Sequence, residues 1–87
     1  MKTYVQHPIV NGMRERAMLI LQQAGFRNSD YDPFEFNARI PHNLTVNGIV
    51  FSNVTSVYVG EESMTIDGKA SVPLNRITEM HAGGIRR

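Results

Sequence analysis

The chain has 87 residues, a net charge of +1 and no cysteine. Disulfides and thiolate metal sites are therefore excluded, and a domain of this size buries only about 60% of the surface that its unfolded chain exposes. We expect one small domain that buries its surplus apolar surface by forming a homo-oligomer. A net charge so near zero argues against a protein that coats nucleic acid by charge alone.

The first predicted elements are an edge strand and a helix. Residues 3–6 form a short extended run that Pro8 is expected to close. A helix is predicted to start at Asn11, a good N-cap residue. Apolar residues then recur with the helical period in one stripe: Met13, Ala17, Ile20, Leu21 and Ala24. The helix is expected to end at Gly25, with Phe26 folded back on it in a Schellman motif.

Two apolar residues of this helix lie outside the stripe. Met18 and Leu19 widen the apolar band beyond one helical face, so a monomer would leave them partly exposed. The alternative is a helix that is buried on two sides. We predict that both residues contact a second copy of the chain or a partner protein.

An alternating strand and a meander of short strands follow the helix. Residues 34–40 alternate apolar and polar side chains, which predicts a strand with its apolar side chains on one buried face, and Pro41 is expected to end it. Asn47-Gly48 and Asp67-Gly68 each predict a tight hairpin turn. Between the two turns the apolar positions change phase, which predicts a β-bulge near residues 55 and 56.

The last apolar residues recur at every third position after Pro73: Leu74, Ile77 and Met80. This spacing predicts a single 3₁₀ or helical turn that closes one end of the sheet. In the spacing of its strands and turns, the stretch 43–80 resembles small SH3-like or Sm-like barrels. We predict an α+β domain over residues 1–80, with one N-terminal helix packed on a strongly bent antiparallel sheet or partly closed barrel; an open sheet fits nearly as well. Residues 81–87 are expected to form a flexible, basic tail.

The sequence offers no catalytic motif. It has no glycine-rich phosphate loop and no Gly-x-Ser-x-Gly elbow. Glu61 and Glu62 are adjacent, so their side chains diverge. The histidines stand in separate segments without metal-ligand spacing: His7, His42 and His81. We expect no enzymatic activity, no cofactor and no bound metal.

Arginine is the most informative residue type, since seven of the nine cationic side chains are Arg. Its planar fork suits phosphates, carboxylates and flat rings. The candidate ligand-binding residues are arginines and tyrosines that could converge: Arg39, Arg76, Arg86, Arg87, Tyr31 and Tyr58. Such side chains recognise nucleotides and single-stranded nucleic acid. The alternative is that each arginine pairs with a surface carboxylate and each aromatic ring lies in the core.

We predict a small non-enzymatic, homo-oligomeric protein that binds or sequesters a nucleotide-like anionic ligand. Two other functions stay open: a module that inhibits a host protein, and a nucleic-acid-binding barrel whose affinity would fall steeply with salt. In its compactness and its lack of catalytic and targeting motifs, the chain resembles small accessory proteins of phages and mobile elements. No segment has the apolar length of a signal peptide or a membrane span, so we expect a cytoplasmic protein without membrane association.

Overall fold

The computed structural model describes residues 8–84, and this part of the chain folds as one helix and six strands. The helix is α1 (Pro8–Ala24). The strands are β1 (Arg27–Asn28), β2 (Glu35–Val46), β3 (Ile49–Val59), β4 (Ser63–Ile66), β5 (Ala70–Pro73) and β6 (Met80–Gly84), with a 3₁₀ turn (Leu74–Arg76) between β5 and β6. The predicted α+β class is confirmed. The strand predicted at residues 3–6 lies outside the described residues.

All six strands belong to one antiparallel sheet with the order β1-β2-β3-β4-β5, and β6 also pairs with β2. Strand β2 is long enough to pair with β1 near its start, at Asn37, and with β6 near its end, at Val46. In the described part of the chain the sheet stays open, because no pairing joins β5 to β6. Helix α1 packs mainly on β6 and the 3₁₀ turn.

The start of the helix differs from the prediction. Helix α1 begins at Pro8, so Asn11 lies inside the helix and is not its N-cap. Proline is favoured in the first turn of a helix because its missing N–H would have no partner there. Within residues 8–84, no helix is both long enough and apolar enough to cross a membrane.

The end of the helix is as predicted. Gly25 has a φ of +117°, which is a conformation that side chains with a Cβ rarely adopt. The N–H of Gly25 donates to the Gln22 carbonyl at 3.1 Å, and the N–H of Phe26 donates to the Leu21 carbonyl at 2.9 Å. These two hydrogen bonds define the Schellman motif.

Strand β2 continues through Pro41, so the predicted end of this strand was wrong. Between Asn37 and His42 its pairing with β3 slips, and residues 38–41 bulge out of the ladder. A proline is tolerated at a bulge because no ladder hydrogen bond needs its N–H. The same bulge turns Ile40 outward, where it is 63% exposed, although the alternation predicted an inward side chain.

Both predicted hairpin turns are confirmed. Asn47 and Gly48 have φ values of 53° and 83°, and Asp67 and Gly68 have values of 53° and 68°. Two successive positive φ angles are the signature of the type I′ turn, whose twist matches that of the flanking strands.

The predicted change of phase in β3 is also present, since Val54 and Val57 are both buried although they lie three residues apart. The N–H groups of Thr55 and Ser56 both donate to Asp67 Oδ1, at 3.1 and 3.0 Å. One carboxylate oxygen therefore satisfies two adjacent donors of β3 at the place where residues 38–41 of β2 bulge out of the ladder.

The turn predicted after Pro73 is present as a 3₁₀ turn. Leu74 in this turn is buried, as are Ile77 and Met80 after it. The tail prediction was wrong for residues 81–84, because Met80–Gly84 forms β6. The open edge of β2 offers backbone hydrogen bonds to this segment, and these compensate for its lack of large side chains. Arg86 and Arg87 lie outside the described residues.

Candidate anion-binding site

A cleft of about 290 Å³ lies where the end of α1 meets the bulged part of β2. Two exposed arginines line it, Arg27 and Arg39, together with the amide side chain of Asn37 and the ring of His42. None of the described residues that line this cleft is acidic. The cleft is therefore positively charged and suited to an anion.

The sheet register explains why the two arginines meet. The chain reverses at Gly25 and returns as β1, where Arg27 pairs directly with Asn37 of β2. Arg39 follows Asn37 by two residues in β2, and both side chains line the cleft. Two arginines that are distant in the sequence therefore reach one cleft.

His42 fixes the wall of the cleft from inside. Its ring is only 6% exposed and lies 4.8 Å from the ring of Phe26, centroid to centroid. Its Nε2 lies 2.6 Å from the carbonyl oxygen of Ala24, and its Nδ1 lies 2.5 Å from that of Ile40. One side chain thus joins the last residue of α1 to the bulge of β2.

The predicted ligand-binding residues do not all converge. Arg39 lines the cleft, and Tyr58 lies on β3 with 42% of its surface exposed. Arg76 lies beside the β2–β3 turn, at the far end of β2 from the cleft. Tyr31 is 96% exposed in the loop between β1 and β2, and it does not line the cleft.

Three residues of the cleft were missed by the sequence analysis: Arg27, Asn37 and His42. The alternation over residues 34–40 already placed Asn37 on the same polar face as Arg39. For Arg27 the sequence contains no signal, because β1 has only two residues and two residues show no periodicity. His42 reads as a surface residue, since it follows a proline.

Comparison with known protein families, with curated proteins and with solved structures finds no match to this chain. Within residues 8–84, no three histidine or acidic side chains come together as they would around a metal ion. The function of the cleft must therefore be inferred from its own chemistry.

Proposed function

We propose that this protein binds a small, nucleotide-like anionic ligand without turning it over, and that Arg27 and Arg39 hold the anionic group in the cleft. The observation that supports this proposal is that two exposed arginines and one amide line a cleft to which residues 8–84 contribute no acidic side chain. Each guanidinium can donate two parallel hydrogen bonds to a phosphate or carboxylate. The amide of Asn37 adds a neutral donor beside them.

Binding without catalysis is proposed because of the position of the His42 imidazole in the cleft. A general base needs a free ring nitrogen within hydrogen-bond reach of the substrate. Both nitrogens of His42 instead face backbone carbonyls, and the ring is buried. Its position suits a structural role in holding the cleft open.

We expect Arg27→Ala and Arg39→Ala each to weaken phosphate binding by at least about tenfold, because a hydrogen bond to a charged group contributes about 1.5–3 kcal/mol. Isothermal titration calorimetry with inorganic phosphate at low salt measures this change. Arg16→Ala is the matched control, since Arg16 is an exposed arginine of α1 outside the cleft. Equal affinities for all three variants and the unchanged protein would contradict the assignment.

We also infer that the sheet follows the plan of small SH3-like or Sm-like barrels. Support comes from the long β2 and β3, the 3₁₀ turn after Pro73, and the return of β6 to pair with β2. Barrels of this kind suit the nucleic-acid alternative. Binding of single-stranded DNA that weakens steeply with added salt would favour that function over a small ligand.

Self-association is proposed to use the exposed side of α1. Leu19 is 52% exposed, whereas Met18 packs partly against the core, so Leu19 is the stronger contact candidate of the two.

We expect Leu19→Glu to lower the particle mass to that of a monomer in light scattering, because a carboxylate resists burial at an interface. Gln23→Glu adds the same charge at an exposed position of α1 and should leave the mass unchanged. A monomeric unchanged protein would contradict self-association and favour a host protein as the partner of Leu19.

A further inference from the structure

The outer face of the sheet carries a continuous polar surface from the cleft to Tyr58. Two cross-strand rows form it, with the residues Arg27, Asn37 and Ser56 in one row and Glu35, Tyr58 and Thr65 in the next. Side chains two residues apart on a strand share a face, so all six point the same way. The intervening residues Phe36 and Val57 are buried on the opposite face. Because Asn37 belongs to the cleft and to this surface, the cleft opens onto it.

The spacing along this surface suits a ligand with two ends. Neighbouring strands lie about 4.8 Å apart and each residue rises about 3.4 Å, which separates the Cα atoms of Arg27 and Tyr58 by about 12 Å. On this face the line between these two residues crosses β2 between the short amide of Asn37 and the carboxylate of Glu35, and Ser56 lies beside Tyr58 on β3. A ligand with its phosphate in the cleft could therefore reach a ring on Tyr58 by crossing between Asn37 and Glu35.

Tyr58 is placed to stack with a flat ring. One edge of its ring lies beside Gly60, so close that a Cβ added at this glycine would be 3.6 Å from the ring. Tyr58 nevertheless has 42% of its surface exposed. Every nucleobase has a π-face that can stack on an exposed aromatic ring, and such stacking is strong enough for an affinity gain of roughly tenfold.

Glu35 adds selectivity at the same end. It lies directly opposite Tyr58 in the β2–β3 pair. An ionised carboxylate only accepts hydrogen bonds, so it repels a phosphate and favours N–H donors. The charge order along the face is cationic in the cleft, neutral at Asn37 and Ser56, and anionic beside the aromatic ring.

From this order we propose that the ligand is a nucleotide whose phosphate lies between Arg27 and Arg39 and whose base stacks on Tyr58 with its N–H groups facing Glu35. The proposal rests on the proposed function and names its ligand class. Guanine fits this end best, because its ring N–H and its amino group are adjacent donors that one carboxylate can accept together. Uracil offers a single N–H and fits less well.

The test compares inorganic phosphate, uridine 5′-monophosphate and guanosine 5′-monophosphate by calorimetry at low salt. We expect the guanine nucleotide to bind at least tenfold more tightly than phosphate, with the uracil nucleotide in between. Tyr58→Leu should remove about tenfold of the nucleotide affinity and leave phosphate binding unchanged, whereas Tyr58→Phe should retain the nucleotide affinity. Glu35→Gln should reduce the preference for guanine over uracil.

Each outcome separates the two proposals. Tight phosphate binding with no gain for either nucleotide would overturn the nucleotide assignment and leave the anion-binding function in place. No binding of phosphate or nucleotide would overturn both. Equal losses of phosphate and nucleotide affinity in Tyr58→Leu would show that Tyr58 acts on the fold of the cleft, and would also overturn the stacking role.

Discussion

The variant His42→Ala is expected to lower the free energy of unfolding by roughly 3 kcal/mol. The buried ring packs against Phe26, so its removal leaves a cavity in the interior. The carbonyls of Ile40 and Ala24 also lose the ring nitrogens that lie 2.5 and 2.6 Å from them at the junction between α1 and β2. A domain of this length has a stability of about 5–10 kcal/mol, so the loss is a large fraction of the total. Urea denaturation followed by circular dichroism measures it.

The matched control for this prediction is His81→Ala. His81 is exposed on β6, and a surface substitution of this kind changes stability by no more than about 0.5 kcal/mol. Equal effects of the two alanine variants would show that the His42 ring does not join helix and sheet. His42→Ala should also weaken phosphate binding, because the ring holds the wall of the cleft that contains Arg39.

Local chemistry made several features predictable from the sequence. The end of α1 depends on one glycine at Gly25, and the two type I′ turns depend on Asn47-Gly48 and Asp67-Gly68. In each case a positive φ is required, and few residue types adopt it without strain. The 3₁₀ turn after Pro73 is equally local, since it spans three residues and buries only Leu74.

Features that depend on distant partners were not predictable. Pro41 normally ends a strand, yet it lies in β2 because the slipped pairing with β3 leaves its position without a ladder partner. Residues 81–84 have small side chains and gain their structure from the open edge of β2. The cleft shares this dependence, because Arg27 meets Arg39 only after β1 has paired with β2.

Arg14 shows why counting charges on a helix face does not locate a binding site. Its place among the polar positions of α1 predicts a solvated side chain, but the residue is partly buried. Its guanidinium carbon lies 3.9 Å from the centre of the Phe34 ring, and its Nη2 donates to the Val59 carbonyl at 3.3 Å. The long apolar stem of arginine lets it cover the core while Nη2 and the face of the guanidinium find partners there. Arg14 therefore joins helix to sheet, unlike the exposed arginines of the cleft.

The side chains at the two type I′ turns have a second role beyond their backbone conformation. Asp67 accepts the N–H groups of Thr55 and Ser56 in β3. Asn47 Oδ1 accepts from the N–H and the hydroxyl of Thr78, at 2.7 and 2.9 Å, and from the N–H of Glu79 at 3.3 Å. Asn47 Nδ2 donates to the Arg76 carbonyl at 2.9 Å. Each turn thus fastens another segment of the sheet as well as reversing the chain.

We expect Asn47→Gly to lower the free energy of unfolding by roughly 2–3 kcal/mol. Glycine keeps the positive φ without strain, so the variant removes the side-chain hydrogen bonds to residues 76–79 while the turn itself can form. These bonds are exposed and contribute about 0.5 kcal/mol each, and the greater freedom of the unfolded glycine chain adds about 0.5–1 kcal/mol. Chemical denaturation measures the loss, and hydrogen exchange should show faster exchange at the start of β6.

Asn53→Gly separates the two contributions, because Asn53 also has a positive φ, of 58°, and is exposed. Among the described residues the side chain of Asn53 has no hydrogen-bond partner comparable to those of Asn47. The only expected loss of stability is therefore the part caused by the greater freedom of the unfolded chain. Asn47→Asp keeps the Oδ1 acceptor and loses the donor to Arg76, and its stability should fall between those of Asn47→Gly and the unchanged protein. If the two glycine variants were equally stable, the β2–β3 turn would reverse the chain without holding the 3₁₀ turn and β6, and the fold would depend on core packing alone at that end.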